Sequence, residues 1–448
     1  MAINSQPLTA SPAQPIDPGF EKRTYHKVIW RLMPFLFVCY MFAYVDRVNV
    51  SFAGLNMKKD LGMSDAVFGQ GSGIFFWGYL LFQIPCNMAL KKIGARRWLG
   101  PIMMVWALVS ACTMFIHGEW DFKGLRFLLG VVESGFFPGV ILYLTFWFNN
   151  RYRSLMVAVF MVAIPLAPFI FSPISAWLMV RLDNVAGLHG WQWLFVAEAI
   201  PSLLAGLASL IFLEDGPDSA KWLSTEERAL ICRRLEEDEA HKKLAFGGND
   251  SFLQAVRKPA VWLFCLIYFG SVAGNYGLQF WLPQIIKNTL SKDLTTIGYL
   301  SMIPWGVTVI AMLLIGHHSD KTGERSYHIA LPVTAGGIGL AISAIPGIPG
   351  WVGLIALTIA CAGVVTASSS FWSLPTLYLS GTAAAAGIAM INSLGNLGGY
   401  YGPVIVGNIS TKFHSTGIAM VVLAGLCLLS AIINIAFFRN HPRKSDPA

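Results

Sequence analysis

Charge is scarce in this chain. Of its 448 residues only 12% are Asp, Glu, Lys or Arg, while 55% are hydrophobic; soluble domains carry about a quarter charged residues. That shortage excludes an ordinary soluble domain, because only lipid tolerates helices with no polar face. Also missing are a phosphate-binding loop ending in GK[ST], an HExxH pair and a serine-nucleophile motif. Their absence argues against an ATP-driven pump, a metalloenzyme or a hydrolase, so no enzyme, cofactor or metal is expected. The seven cysteines are scattered, mostly within apolar runs, and no pair has metal-ligand spacing. The first twenty residues are polar and Pro-rich without an apolar core, so no signal peptide is read there. A formal charge of +8 could suit nucleic acid, but the basic residues stand in short clusters and no stripe interleaves with aromatics.

What fills the chain instead is long apolar runs. Crossing the hydrocarbon takes roughly 20 such residues, and runs near 32–57, 66–90, 98–117, 122–148, 154–180 and 191–213 qualify in the first half. In the second half they fall near 260–283, 297–317, 328–346, 351–378, 383–409 and 418–438, with IPGIPG at 345–350 as the place where a miscount would arise. The expected fold is an all-α membrane protein of twelve transmembrane helices in two pseudo-symmetric six-helix halves. Placing both termini in the cytoplasm puts 23 of the 32 Lys and Arg inside and seven outside, a strong positive-inside bias. Membrane lipid is then a partner, and a bacterial inner membrane the expected location.

The expected organisation is a tail over 1–27, a bundle over 28–213, a linker over 214–257, a bundle over 258–438 and a tail over 439–448. Within the linker, Ser224-Thr225-Glu226-Glu227 has the capping-box pattern and opens a mixed-charge run to Glu239, which predicts a short amphipathic helix. The turn Lys92-Ile93-Gly94-Ala95-Arg96 after the second span is echoed by Lys321-Thr322-Gly323-Glu324-Arg325 after the eighth. Such an echo suggests a parallel repeat, with a substrate site near the midplane between the halves.

Only a few charges interrupt the spans. Asp46 and Arg47 lie in the first, Arg126 and Glu133 in the fourth. Each costs about 2.5–3.5 kcal/mol at the membrane centre, on the order of 10 kcal/mol for four. They persist only if they pair or line an aqueous cavity. Arg126 and Glu133, seven residues apart, lie within about 20° of one helix face and about 10 Å apart along it. From these placements Arg47 and Arg126 are expected to bind a carboxylate through their forked guanidinium groups. Asp46 and Glu133 are expected to load protons, coupling anion to proton binding. The alternative is a buried charge lock between the first and fourth helices, to which Asp46 belongs more readily than Glu133. Glu198, early in the sixth span, is expected to be structural.

Neutral groups supply the rest of the expected wall: Tyr44, Tyr79 and Gln279 from three spans, then Ser369, Ser370, Trp372 and Asn392. Gln83, Asn275 and Asn396 are further candidates. The second-half spans hold no convincing charge, so their contribution should be neutral hydrogen bonding, suited to hydroxyls or a second carboxylate. GxxxG spacings at Gly69/Gly73, Gly135/Gly139 and Gly395/Gly399 allow close helix approach.

On Asp46-Arg47-Val48-Asn49, on Arg126 with Glu133-Ser134-Gly135-Phe136-Phe137-Pro138-Gly139 and on the two basic loops, residues 25 to 440 resemble the anion:cation symporter branch of the major facilitator superfamily. The resemblance implies proton-coupled import of organic anions by alternating access, with the first- and fourth-span charges in coupling and binding. Phe371-Trp372-Ser373-Leu374-Pro375 and Asn392-Ser393-Leu394-Gly395-Asn396 look like bacterial transporters of tartrate, related sugar acids and some aromatic acids. Two departures stand out: Lys91 where the superfamily loop normally has an acid, and Gln83 where these relatives often have Glu. A tartrate-like hydroxy or sugar acid suits two arginines, whereas an aromatic monocarboxylate needs one arginine and an apolar wall. A drug or metabolite:proton antiporter is the other alternative, although the fifth span, MVAIPLAPFIFSP, lacks the Gly-Pro motif usual in antiporters. The chain is expected to act as a monomer.

Overall fold

The computed structural model describes residues 17–245, 257–379 and 382–439, and every regular element among them is helical. Helices are what a lipid solvent leaves to these sequences, since each backbone N–H and C=O must find its partner within the segment. The first half holds six spans. These are Pro18–Val48 continued by Val50–Asp60, Asp65–Ile93, Ala95–Cys112, Glu119–Glu133 with Phe137–Thr145, Asn150–Met161 with Ala163–Arg181, and Gly190–Phe212. The second half holds Pro259–Thr289, Leu294–Thr322, Ser326–Ser343, Gly350–Ser370, Thr382–Phe413 and Thr416–Phe438. Ten of the twelve are long and apolar enough to cross a membrane on their own composition. The other two, Ser326–Ser343 and Thr382–Phe413, are diluted by glycine, alanine and hydroxyl residues and pack closely on neighbouring helices. A Cβ on Gly336 would stand 2.9 Å from the Val364 backbone nitrogen, and one on Gly398 2.4 Å from the Phe269 carbonyl.

Three spans of the first half are interrupted near mid-membrane. The first breaks at Asn49, the fifth at Val162, and the fourth over Ser134-Gly135-Phe136 ahead of Pro138. Proline removes a helical N–H and crowds the carbonyl one turn back, which accounts for the break in the fourth.

The first helix starts at Pro18, inside the segment expected to be a tail. Asp17 caps it, accepting from the Gly19 and Phe20 amides at 3.0 and 3.1 Å, with Pro18 as its first residue. Asp-Pro is a helix-start signal in its own right. Residues 1–16 and 440–448 of the expected tails, and 246–256 of the expected linker, lie outside the described residues.

The linker helix forms over Thr225–Ala245. Ser224 Oγ accepts from the Glu227 amide at 3.1 Å, and Glu227 Oε2 accepts from the Ser224 amide at 2.8 Å, a reciprocal capping box. The helix is tied to the first half. Lys27 pairs with Glu227 at 2.7 Å, Arg234 with Glu21 at 2.5 Å, and Trp222 stacks on Trp147. Arg234 also bonds Glu237 and holds that carboxyl below its ordinary range. Ser224→Ala is expected to cost this helix about 1 kcal/mol. The loss should be read as faster amide exchange over residues 225–228 with the spans unaffected.

The echoed turns both place a glycine at positive φ, +90° at Gly94 and +68° at Gly323, where a side chain would be strained. Their ψ angles differ, Gly94 being extended (155°) and Gly323 left-handed helical (0°). In the second turn Arg325 pairs with Asp320 at 2.6 Å. In the first, the carboxylate comes from elsewhere: Asp215 accepts from the Arg96 amide at 3.2 Å while Arg96 Nε donates to the Leu210 carbonyl.

The two halves meet tightly at the end remote from the chain termini. A Cβ on Gly69 would lie 2.4 Å from the Pro403 carbonyl oxygen, and one on Gly407 2.3 Å from that of Asp65. Lys58 joins Asp65 at 2.7 Å and Gln284 at 3.1 Å, lying over the Phe68 and Trp281 rings, and Ser410 donates to Asp65. At the terminal end the halves part.

Candidate functional site

Between the halves lies a cavity of about 1190 Å³, open toward the end that carries the termini and the linker. Arg153, Asp320 and Arg325 stand at its mouth, the first two near helix ends and the third in the turn after Thr322. Its inner wall is polar and aromatic, and Arg47 is the cation that reaches it from mid-membrane.

Arg47 is buried except for that face. Its Nε and Nη2 both donate to Glu133 Oε1, the Nε contact at 3.0 Å, and its Nη1 donates to the Tyr276 hydroxyl at 3.2 Å. The rings of Phe75, Tyr44 and Tyr79 surround its guanidinium at 5.0–5.5 Å. Glu133 lies behind the wall, 2% exposed, with Oε2 unbonded. The first and fourth spans are therefore joined by an ion pair, one member of which faces the cavity.

Arg126 does not reach the cavity. It is 1% exposed and donates through Nη2 to the Arg47 carbonyl at 3.0 Å, next to the break at Asn49, with its guanidinium over Phe75 and Phe280. Its Nε has no partner. Glu133 pairs with Arg47 rather than with its helix-mate Arg126.

Asp46 points the other way. Successive helical residues lie about 100° apart, so Asp46 turns into the first-half bundle while Arg47 turns toward the cavity. There it accepts from Ser202 at 2.5 Å, Ser110 at 2.9 Å and Trp106 at 3.2 Å. It binds the first span to the third and sixth and has no cavity face.

Among the neutral candidates, Tyr44, Tyr79, Ser369, Trp372 and Asn392 line the cavity, as do Gln83, Asn275 and Asn396. Gln279 lies deeper and exchanges hydrogen bonds with the Tyr44 hydroxyl at 3.0–3.1 Å. Ser370 is not part of the wall. One residue past Ser369 on a helix, it faces another direction, whereas Ser368 and Ser369 face in. Asn392 bonds Asn396 at 2.9 Å and makes a long 3.5 Å contact to Gln83 across the halves. Tyr40, Tyr268 and Tyr276 also line the cavity and were not expected from the sequence. A signal existed for two of them: Tyr40 is one turn before Tyr44, and Tyr276 one turn before Gln279.

A helical bundle in two halves, closed at one end and enclosing a cavity that carries polar groups and is reached from the other, is the architecture of a membrane carrier. The chain belongs to the major facilitator superfamily, whose profile, described as Major Facilitator Superfamily, matches residues 36–403. It is 44% identical over 423 residues to the "Putative tartrate transporter" of Agrobacterium vitis, covering 94% of this chain and 93% of that one. It is 40% identical to the "Putative metabolite transport protein NicT" of Pseudomonas putida, over 94% and 95% of the two chains. Its identity to the "Quinolone resistance transporter" of Acinetobacter baumannii is 39%, over 95% and 97%. Among solved structures, a bacterial homologue of the human lysosomal transporter Spinster, inward-facing and occupied, superposes with a TM-score of 0.74 at 13% identity, over 94% and 99%. That likeness is one of fold. The chain is a multi-pass membrane transporter and not an enzyme.

Proposed function

We propose that this protein imports a small organic anion together with protons, and that a tartrate-like hydroxy or sugar acid is its substrate. One observation carries the proposal: a guanidinium from mid-membrane faces the cavity while its acidic partner lies sealed behind it. A substrate carboxylate and the Glu133 carboxylate compete for the same Arg47 fork. Protonating Glu133 releases the fork to the anion, and losing that proton restores the pair and expels the anion, so the two travel together. Arg126, behind Arg47, adds positive field and fixes the Arg47 backbone, acting as a positioning residue. Asp46 is a second proton-bearing acid within the first-half bundle. Tyr44, Tyr79, Ser369, Trp372 and Asn392 offer hydroxyl, indole and amide groups to the substrate's hydroxyls or second carboxylate.

On the positive-inside bias of the loops and the linker, we read the open end as cytoplasmic and the form as inward-facing, in a bacterial inner membrane with both termini inside. The working unit in this reading is a monomer. The relatives from Agrobacterium vitis and Pseudomonas putida support a small metabolite as cargo. The aromatic wall of Tyr40, Tyr79, Tyr268, Tyr276 and Trp372 favours, as a second reading, an aromatic monocarboxylate on the same arginine. The Acinetobacter baumannii relative keeps drug:proton exchange as the third.

Uptake of radiolabelled tartrate into proteoliposomes under an inward proton gradient tests this. Wild type should accumulate tartrate. Glu133→Gln should lose accumulation yet still exchange internal for external tartrate, since exchange needs no net proton movement. Competition by benzoate but not by tartrate would move the substrate to the aromatic acids. Absence of acid uptake, with proton-driven efflux of a quinolone, would sink the symporter.

A further inference from the structure

Glu198 takes no part in the scheme above. It lies in the sixth span, 3% exposed, and its Oε1 accepts from Ser175 Oγ of the fifth span at 2.5 Å. Its Oε2 is buried without a partner. Beside it stands the Asn49 amide, at the break in the first span, close enough to interact with the carboxyl though neither of its polar atoms makes a hydrogen bond of ordinary geometry. The other acid facing Glu198 is Asp46, held by Ser202 one turn further along the Glu198 helix. The third-span groups packed there are the neutral Trp106 and Ser110, and the fifth contributes Ser175. Among the described residues no Lys, Arg or His pairs with either acid. Two carboxylates in so dry a place, with only neutral donors, would each forfeit several kcal/mol of hydration. A proton on Glu198 Oε2 would relieve this and supply the donor that the Asn49 carbonyl lacks.

A route leads from there to the substrate. At the seam between the halves a cavity of about 20 Å³ is lined by Asn49, Ser172 and Ser175 from the first half and Gln279 and Ser301 from the second. That is room for about one water molecule. Ser301 Oγ, fully buried, has no other partner. Gln279 bonds the Tyr44 hydroxyl, and Tyr44 lines the large cavity. Because the small cavity is shared by both halves, it is divided when they part at the closed end.

We propose that Glu198 is a proton-binding site of the transport cycle, loaded when the seam opens. Its proton leaves Oε2 for a water in the small cavity and continues past Gln279 and Tyr44 to the large one. The carboxylate left behind accepts from Ser175 and the Asn49 amide N–H. The role rests on the proton-coupled reading of transport, but the proton on Glu198 can be observed separately. Infrared difference spectra of the purified full-length protein between alkaline and acid pH should contain a protonated-carboxyl band that Glu198→Gln removes. Ser301→Ala, which breaks no hydrogen bond, should slow proton-driven tartrate uptake about tenfold and shift its pH profile, with tartrate exchange unchanged. A band unaltered in Glu198→Gln, or a Ser301→Ala uptake profile identical to wild type, overturns the assignment. Wild-type uptake indifferent to the proton gradient would instead overturn the coupling, leaving the band to report Glu198 alone.

Discussion

Arg47→Ala is expected to abolish tartrate binding, and Arg47→Lys is not expected to restore it. The guanidinium has two tasks that a single substitution confounds. It neutralises Glu133, which is 2% exposed, so its removal strands a buried carboxylate at a cost of about 3–5 kcal/mol of stability. In the proposed function it also presents the fork that would hold the substrate carboxylate, and losing such a pair costs about 2–5 kcal/mol of affinity. At 1.4 kcal/mol per factor of ten, that is roughly 30-fold to several thousandfold in Kd. The double variant Arg47→Ala/Glu133→Gln separates the tasks, because removing both members leaves no stranded charge. It should regain most of the lost melting temperature while tartrate titration by intrinsic tryptophan fluorescence stays flat. Lysine would keep the charge but not the bidentate geometry, and its ammonium is more strongly hydrated. If the double variant binds tartrate as wild type does, Arg47 is only half of a lock and the anion binds elsewhere.

Why these charges could be singled out in the sequence, and the direction each one faces could not, has a physical explanation. Charges within a lipid-facing composition are rare and costly, so four of them mark a site whatever the fold. What the spacing does not encode is which of two adjacent residues faces the cavity. That depends on the rotation of the first span, fixed here by Trp106, Ser110 and Ser202, neutral residues on two other spans that carry no signal in isolation. Arg126 shows the same limit. Its helix face agrees with that of Glu133, as heptad spacing requires, yet the Arg47 carbonyl at the Asn49 break claims it. Tyr268 was invisible for another reason: tyrosines in membrane helices commonly sit at the headgroup level, so composition does not tell a cavity tyrosine from an anchoring one. The spans, the linker helix with its Ser224 capping box, and the paired glycine turns were legible because each follows from local chemistry.

Gly69→Leu is expected to halt turnover without harming the binding wall. Gly69 lies on the second span where it crosses the eleventh at the closed end, and a Cβ there would come within 2.4 Å of the Pro403 carbonyl oxygen and 3.2 Å of the Gly407 Cα. Both obstacles are backbone, so neither can swing aside as a flexible side chain would. Overpacking commonly costs about 1–3 kcal/mol, and a clash with backbone belongs at the upper end of that range. The cost falls on one conformation only, since the two helices separate when this end opens. A change of about 5.5 kcal/mol carries a two-state equilibrium from 1:99 to 99:1, so Gly69→Leu with Gly407→Leu should approach a locked state and Gly69→Leu alone a strong bias. Spin labels at Met63→Cys and Asn288→Cys, on opposite halves of that end, should report a longer separation in the variant. Tartrate uptake should fall at least tenfold. Gly124, on the exposed face of the fourth span with nothing within 4 Å of its Cβ position, is the control, and Gly124→Leu should change neither distance nor uptake. Wild-type turnover and an unchanged separation in Gly69→Leu would mean that the closed end does not open by parting these helices.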